Sequence, residues 1–150
     1  MIILDTDVLA LYHFFTTDPR HTLTASFMEE TRDAERGTTL YNLLELAGIL
    51  SSAGKPDVAR KMIETYATAS DMTLLYPILS TNSPELFFAD YTAELMDYME
   101  RGLRYGDAKI LWVAESNEAS TLITWNTRHY SGKTQIGILT PGDYLRVITG

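Results

Sequence analysis

Three carboxylates in this chain sit where an acid is either costly or useful. Asp5 closes the apolar run Ile2-Ile3-Leu4 and is followed by Thr6. Glu45 lies within Leu43-Leu44-Glu45-Leu46-Ala47. Beside such a core-like stripe a carboxylate has a raised pKa and costs free energy unless something pairs with it. Asp107 falls in the first turn of an expected helix, where backbone N–H groups and the helix dipole favour an anion. Brought together, three acids repel one another. A hard divalent cation resolves the repulsion, because Mg2+ or Mn2+ prefers oxygen ligands and keeps several waters. One of those waters, made more acidic by the ion, is a nucleophile, and the ion also neutralises charge on a phosphate. Asn126, which ends the run Leu122-Ile123-Thr124-Trp125, adds an amide that can orient a water but brings no charge.

These residues lie far apart in sequence, so the fold must gather them. Met1–Leu4 reads as a buried strand, and Asp7 to Phe15 as a helix with Val8, Leu11, Tyr12 and Phe15 on one face. A second helix is predicted from Pro19 to about Glu35, stopped by Gly37. Thr38–Tyr41 reads as a short strand. Asn42 to Ser52 follows as a helix closed by Gly54, and Pro56 opens another to about Ala69. Met72–Pro77 is a strand or extended loop. Ser83 and Pro84 start a helix reaching about Leu103, and Asp107 caps one reaching about Glu118. Ser120–Trp125 and Gln135–Leu139 are the remaining strands, with a last short helix after Asp143. Strands alternating with helices predict an α/β fold, a three-layer α/β/α arrangement with a central parallel sheet of four to five strands. Working sites of such sheets lie beyond the carboxyl ends of the strands. If their strands are neighbours, Asp5 and Asn126 meet at that rim.

The length of 150 residues suits a single domain over 1–150. Apolar residues make up 45% and charged residues 21%, an ordinary globular mix. With no cysteine, disulfides and thiolate metal sites are excluded, and a cytoplasmic location is compatible. The apolar start is too short for a signal peptide, and no run approaches membrane-spanning length. The net charge of −8 opposes nucleic-acid binding unless a local basic strip, bound metal or a basic partner offsets it. Arg101, Arg104, Lys109, Arg128 and His129 cluster in sequence and are the candidates for such a strip against nucleic-acid phosphates. The three histidines lack metal-ligand spacing. Asp7 reads chiefly as a helix cap, and Thr6 and Thr124 as hydrogen-bond partners of the acids.

The segments that carry these residues resemble, in order, the motifs of PIN-domain ribonucleases. Met1-Ile2-Ile3-Leu4-Asp5-Thr6-Asp7-Val8-Leu9 looks like the first, where the strand-ending Asp is a metal ligand. Tyr41-Asn42-Leu43-Leu44-Glu45-Leu46 is similar to the helical motif that supplies the Glu. Tyr105-Gly106-Asp107-Ala108-Lys109-Ile110-Leu111 looks like the third. Thr124-Trp125-Asn126-Thr127-Arg128-His129-Tyr130 resembles the fourth, which often has Asp where Asn126 stands. The resemblance implies a PIN-like fold and a metal-dependent endoribonuclease acting on single-stranded or looped RNA. It implies Asp5, Glu45 and Asp107 as metal ligands for Mg2+ or Mn2+, with Asn126 completing the catalytic set. It also implies a homodimer and, as in toxins of the VapC type, a cognate antitoxin that inserts a basic side chain among the acids. Two other readings compete. A PIN-fold binding module that has lost catalysis would suit Asn126 and the acidic balance. A haloacid-dehalogenase-like phosphatase would use Asp5 as nucleophile and Asp7 as acid/base. That family's later acidic pair has no counterpart after Trp125.

Overall fold

The computed structural model describes residues 1–150. Ile2–Leu4 (β1) is buried at every position, as a strand covered on both faces must be. Asp5 turns the chain into α1 (Thr6–His13) by accepting from the Thr6 backbone N–H, and α2 (His21–Glu30) follows. Next come β2 (Arg36–Thr39), α3 (Leu40–Ser52), α4 (Pro56–Ala67), β3 (Thr73–Leu75) and α5 (Pro84–Glu100). The chain ends with α6 (Tyr105–Ser116), β4 (Thr121–Ile123), a one-turn α7 (Thr127–Tyr130), β5 (Gly137–Leu139) and α8 (Pro141–Thr149).

The five strands form one parallel sheet in the order β3-β2-β1-β4-β5. Pleating sends alternate side chains to opposite faces. Ile2, Leu4 and Ile123 enter a core with α1, α2, α3 and α4, including Val8, Phe27, Leu43 and Met62. Ile3 and Leu122 enter a second core with α5 and α6, including Leu95, Leu111, Trp112 and Tyr130. The predicted three-layer α/β/α arrangement is therefore present, with five strands. No helix is long and apolar enough to cross a membrane.

Several boundaries differ from the sequence-based expectation. The second helix stops at Glu30, not near Glu35, and Gly37 lies inside β2. Gly37 sits at a close approach: a Cβ there would lie 2.9 Å from Met1 Sδ and 3.1 Å from the Thr73 carbonyl oxygen. The strand expected over Thr38–Tyr41 begins two residues earlier, and Thr39 ends it by capping α3. Asp107 does not cap α6. Arg104 occupies the cap position and Asp107 the first turn, and α6 ends at Ser116. The turn α7, which the sequence did not predict, brings Arg128 and His129 to the sheet's carboxyl rim side.

Candidate active site

Because β1 and β4 are neighbours, the chain leaves both at one rim of the sheet. The Asp5 backbone N–H donates to the Ile123 carbonyl at 3.0 Å, which ties the first acid directly to β4. A cavity of about 470 Å3 opens at this rim, walled by Asp5, Asp7, Glu45, Asp107, Asn126 and His129. All four residues expected to act together, Asp5, Glu45, Asp107 and Asn126, face it.

Asp5 is buried, and its place is fixed from the start of α3. Thr39 and Asn42 form a reciprocal cap, in which the Asn42 side-chain oxygen accepts from the Thr39 backbone and hydroxyl at 3.1 and 2.7 Å. That leaves the Asn42 amide group facing the site. It donates to Asp5 Oδ1 at 2.9 Å and to Thr6 Oγ1 at 3.1 Å. Thr6 in turn donates to Glu45 Oε2 at 2.5 Å. One helix start thus positions two acids, one through an amide and one through a hydroxyl. Burial pushes the Asp5 carboxyl up to about 7, helped by the charges of Asp7 and Glu45.

Glu45 itself is exposed, contrary to the expectation that it lies beside the core. The buried face of α3 is Leu43, Leu46 and Leu50, and at helical spacing Leu44 and Glu45 point away from it. The desolvated acids are Asp5 and Asp7 instead. Asp7 does more than start α1. It accepts from the Trp125 backbone N–H at 3.0 Å and from the Asn126 amide at 3.0 Å, with the Thr124 hydroxyl at 3.3 Å. Burial raises its pKa, and these hydrogen bonds oppose the rise. Asn126, exposed at the rim, is therefore oriented by Asp7. Asp107 meets His129 Nδ1 at 3.4 Å. Buried Tyr130 places its hydroxyl 3.4 Å from Asp5 Oδ2. Burial, then the charges of Asp5, Asp107, Asp7 and Glu45, hold its phenol far above the ordinary tyrosine range. All four acids act on this one hydroxyl.

The acidic wall offers only oxygen donors, which suits a hard divalent cation rather than a soft one. No three acidic or histidine side chains surround a common point as they stand. Glu45 and Asp107, the acids less enclosed than Asp5, have the cavity to move into. The donor chemistry fits a divalent ion.

The expected basic strip divides in two. Arg104, Arg128 and His129 border a second, smaller cavity with Asp107. Lys109 instead lies over the rings of Tyr41 and Tyr105, and Arg101 pairs with Glu115 at 3.0 Å on the far side of α6. Sequence reasoning assigns no role to Asn42 or Tyr130. The Thr-x-x-Asn spacing of Thr39 and Asn42 is the available signal for Asn42, and a strand placed through Tyr41 hides it. On the opposite lip, Phe15 and Ile49 are exposed apolar residues, and Arg20 pairs with Asp18 at 2.8 Å.

No family model matches this sequence, and no curated protein does. Solved structures do match. A chain of a toxin–antitoxin complex from Klebsiella pneumoniae superposes with a TM-score of 0.61 at 18% identity, covering 94% of this chain and 98% of that one. A sarcin-ricin loop cleaving toxin from Mycobacterium tuberculosis matches with a TM-score of 0.58 at 16% identity, over 81% of this chain and 87% of its own. FitAcB from Neisseria gonorrhoeae matches with a TM-score of 0.60 at 14% identity, over 95% and 99%. The fold of this chain is therefore the PIN-like α/β/α fold shared with these toxin and toxin–antitoxin structures.

Proposed function

We propose that this protein is an endoribonuclease that hydrolyses phosphodiester bonds of single-stranded or looped RNA with Mg2+ or Mn2+. The observation that carries this reading is the convergence of Asp5, Asp7, Glu45 and Asp107 on one rim cavity. Clustered acids held by built hydrogen bonds are costly without a cation. A bound divalent ion would supply activation of water and charge neutralisation on the phosphate. Asp5, Glu45 and Asp107 would hold it. Asn42 and Thr6 keep Asp5 and Glu45 aimed at the cavity. Asp7 turns Asn126 so that its amide can orient the attacking water. The similarity to chains of toxin–antitoxin structures supports a role as the toxin of such a pair. Its partner would be a cognate antitoxin that offers a basic side chain to these acids, with a homodimer as the working assembly.

The test is cleavage of a labelled structured RNA with Mn2+ or Mg2+ and with chelator, comparing wild type with Asp5→Asn. Metal-dependent cutting that disappears in Asp5→Asn is the expected result. One observation favours a second reading, a PIN-fold binding module without catalysis: the acids do not stand in ready ligating positions. Absence of cutting, together with calorimetry that detects no bound Mn2+, would overturn the ribonuclease reading in favour of the binding module.

A further inference from the structure

Twelve cations face twenty acids in this chain, so acids outnumber the basic side chains that could pair with them. Five arginines are paired: Arg20 with Asp18, Arg32 with Glu29, Arg36 with Asp71, Arg101 with Glu115 and Arg146 with Asp143. Of the other three, Arg60 lies on α4, and Arg104 and Arg128 lie together. Both are exposed, neither has an acidic partner, and neither guanidinium makes a hydrogen bond within the protein. They come from different elements, the cap position of α6 and the single turn α7, yet they border one cavity of about 320 Å3. Lys133 braces its walls by donating to the carbonyls of Gly102 and His129, both at 2.8 Å. No apolar residue lines it.

Two residues, Asp107 and His129, border both this cavity and the acidic one. The two depressions are therefore adjacent, one lined mainly by acids and the next by two unneutralised arginines beside Asp107. A cavity with free guanidinium groups and no apolar wall suits a phosphate, whose oxygens match the guanidinium fork. We propose that it holds a backbone phosphate of the RNA strand next to the one that reaches the acids, so that the strand passes over Asp107 and His129 towards α7. Phosphate contacts of this kind fix register and carry no base preference. The proposal rests on the ribonuclease reading and adds a direction to the strand across the rim. Lys109, although close in sequence to Arg104, is excluded from this path by its position over Tyr41 and Tyr105.

The test is RNA binding at several salt concentrations by the full chain carrying R104A, R128A or both, with K61A on α4 as the control and cleavage by each protein measured in parallel. Removing one arginine–phosphate interaction should lower the slope of log affinity against log salt by roughly 0.7 on a single strand. The double variant should therefore show about twice the effect of either single variant. Affinity should fall by a similar factor for unrelated RNA sequences, and K61A should match wild type. Wild-type cleavage with an unchanged salt slope in the double variant would overturn the phosphate subsite alone. No RNA binding or cleavage by wild type would overturn the ribonuclease reading and this inference with it.

Discussion

The side-chain amide of Asn42 donates to Asp5 Oδ1 at 2.9 Å, from the first turn of α3 to the end of β1. The Asn42 oxygen is engaged by Thr39, so the amide has one orientation open to it. Asn42→Ala removes this donor from a buried carboxyl and also the reciprocal cap of α3. We expect a loss of about 1–3 kcal/mol in stability, the usual cost of stranding a buried polar group. Cleavage should fall further than the folded fraction does. Thermal melting and RNA cleavage on the same preparation check this, and a variant that melts lower but cuts normally per folded molecule would refute a positioning role.

Asp5 has its pKa raised to about 7 in the folded protein, against an ordinary value of 3.8. A carboxyl raised by folding binds its proton more tightly in the native state. Its contribution is thus harmless below pH 4 and becomes destabilising as pH rises from about 4 to 7. In chelator, the melting temperature should fall across this window, and Asp5→Asn should flatten the fall. Mn2+ should raise the wild-type melting temperature at pH 8 more than at pH 5, because the acids must release protons to bind it. Differential scanning calorimetry at these pH values decides the matter.

Asn126 donates to Asp7 Oδ2 at 3.0 Å. Asn126→Asp exchanges that hydrogen bond for a contact between like charges. The variant should melt below wild type in chelator and gain more than wild type from Mn2+. Equal Mn2+ shifts in the two proteins would show that position 126 stands outside any metal-binding set.

Gly37 has no room for a side chain between Met1 and the backbone of β3. Gly37→Ala should cost about 1–3 kcal/mol through overpacking, with cleavage per folded molecule retained. Urea titration reads the first quantity and a cleavage assay the second.

The fold is legible in the sequence where apolar runs end in a polar residue. Ile2-Ile3-Leu4 before Asp5 and Leu122-Ile123-Thr124-Trp125 before Asn126 mark two strands, and the structure makes them neighbours. Tyr130 and α7 are not legible, because a four-residue turn is too short to show a helical period. Gly37 misleads because a glycine needed for close packing in a strand looks the same in sequence as one that ends a helix. Glu45 misleads for a related reason: Leu44 beside it is itself exposed, so apolar neighbours in sequence are not neighbours in space. Asp7 is undervalued because its partners, Trp125 and Asn126, lie at the other end of the chain.

The central place of β1 has a consequence for biosynthesis. β1 is flanked by β2 on one side and by β4 on the other. A nascent chain can pair β1 with β2 before β4 exists, but the Ile123 carbonyl that holds the Asp5 backbone and the Trp125 amide that holds Asp7 emerge much later than β1 and β2. The rim that would cut RNA is therefore completed only once the segment through Asn126 has left the ribosome, and products truncated before it lack it.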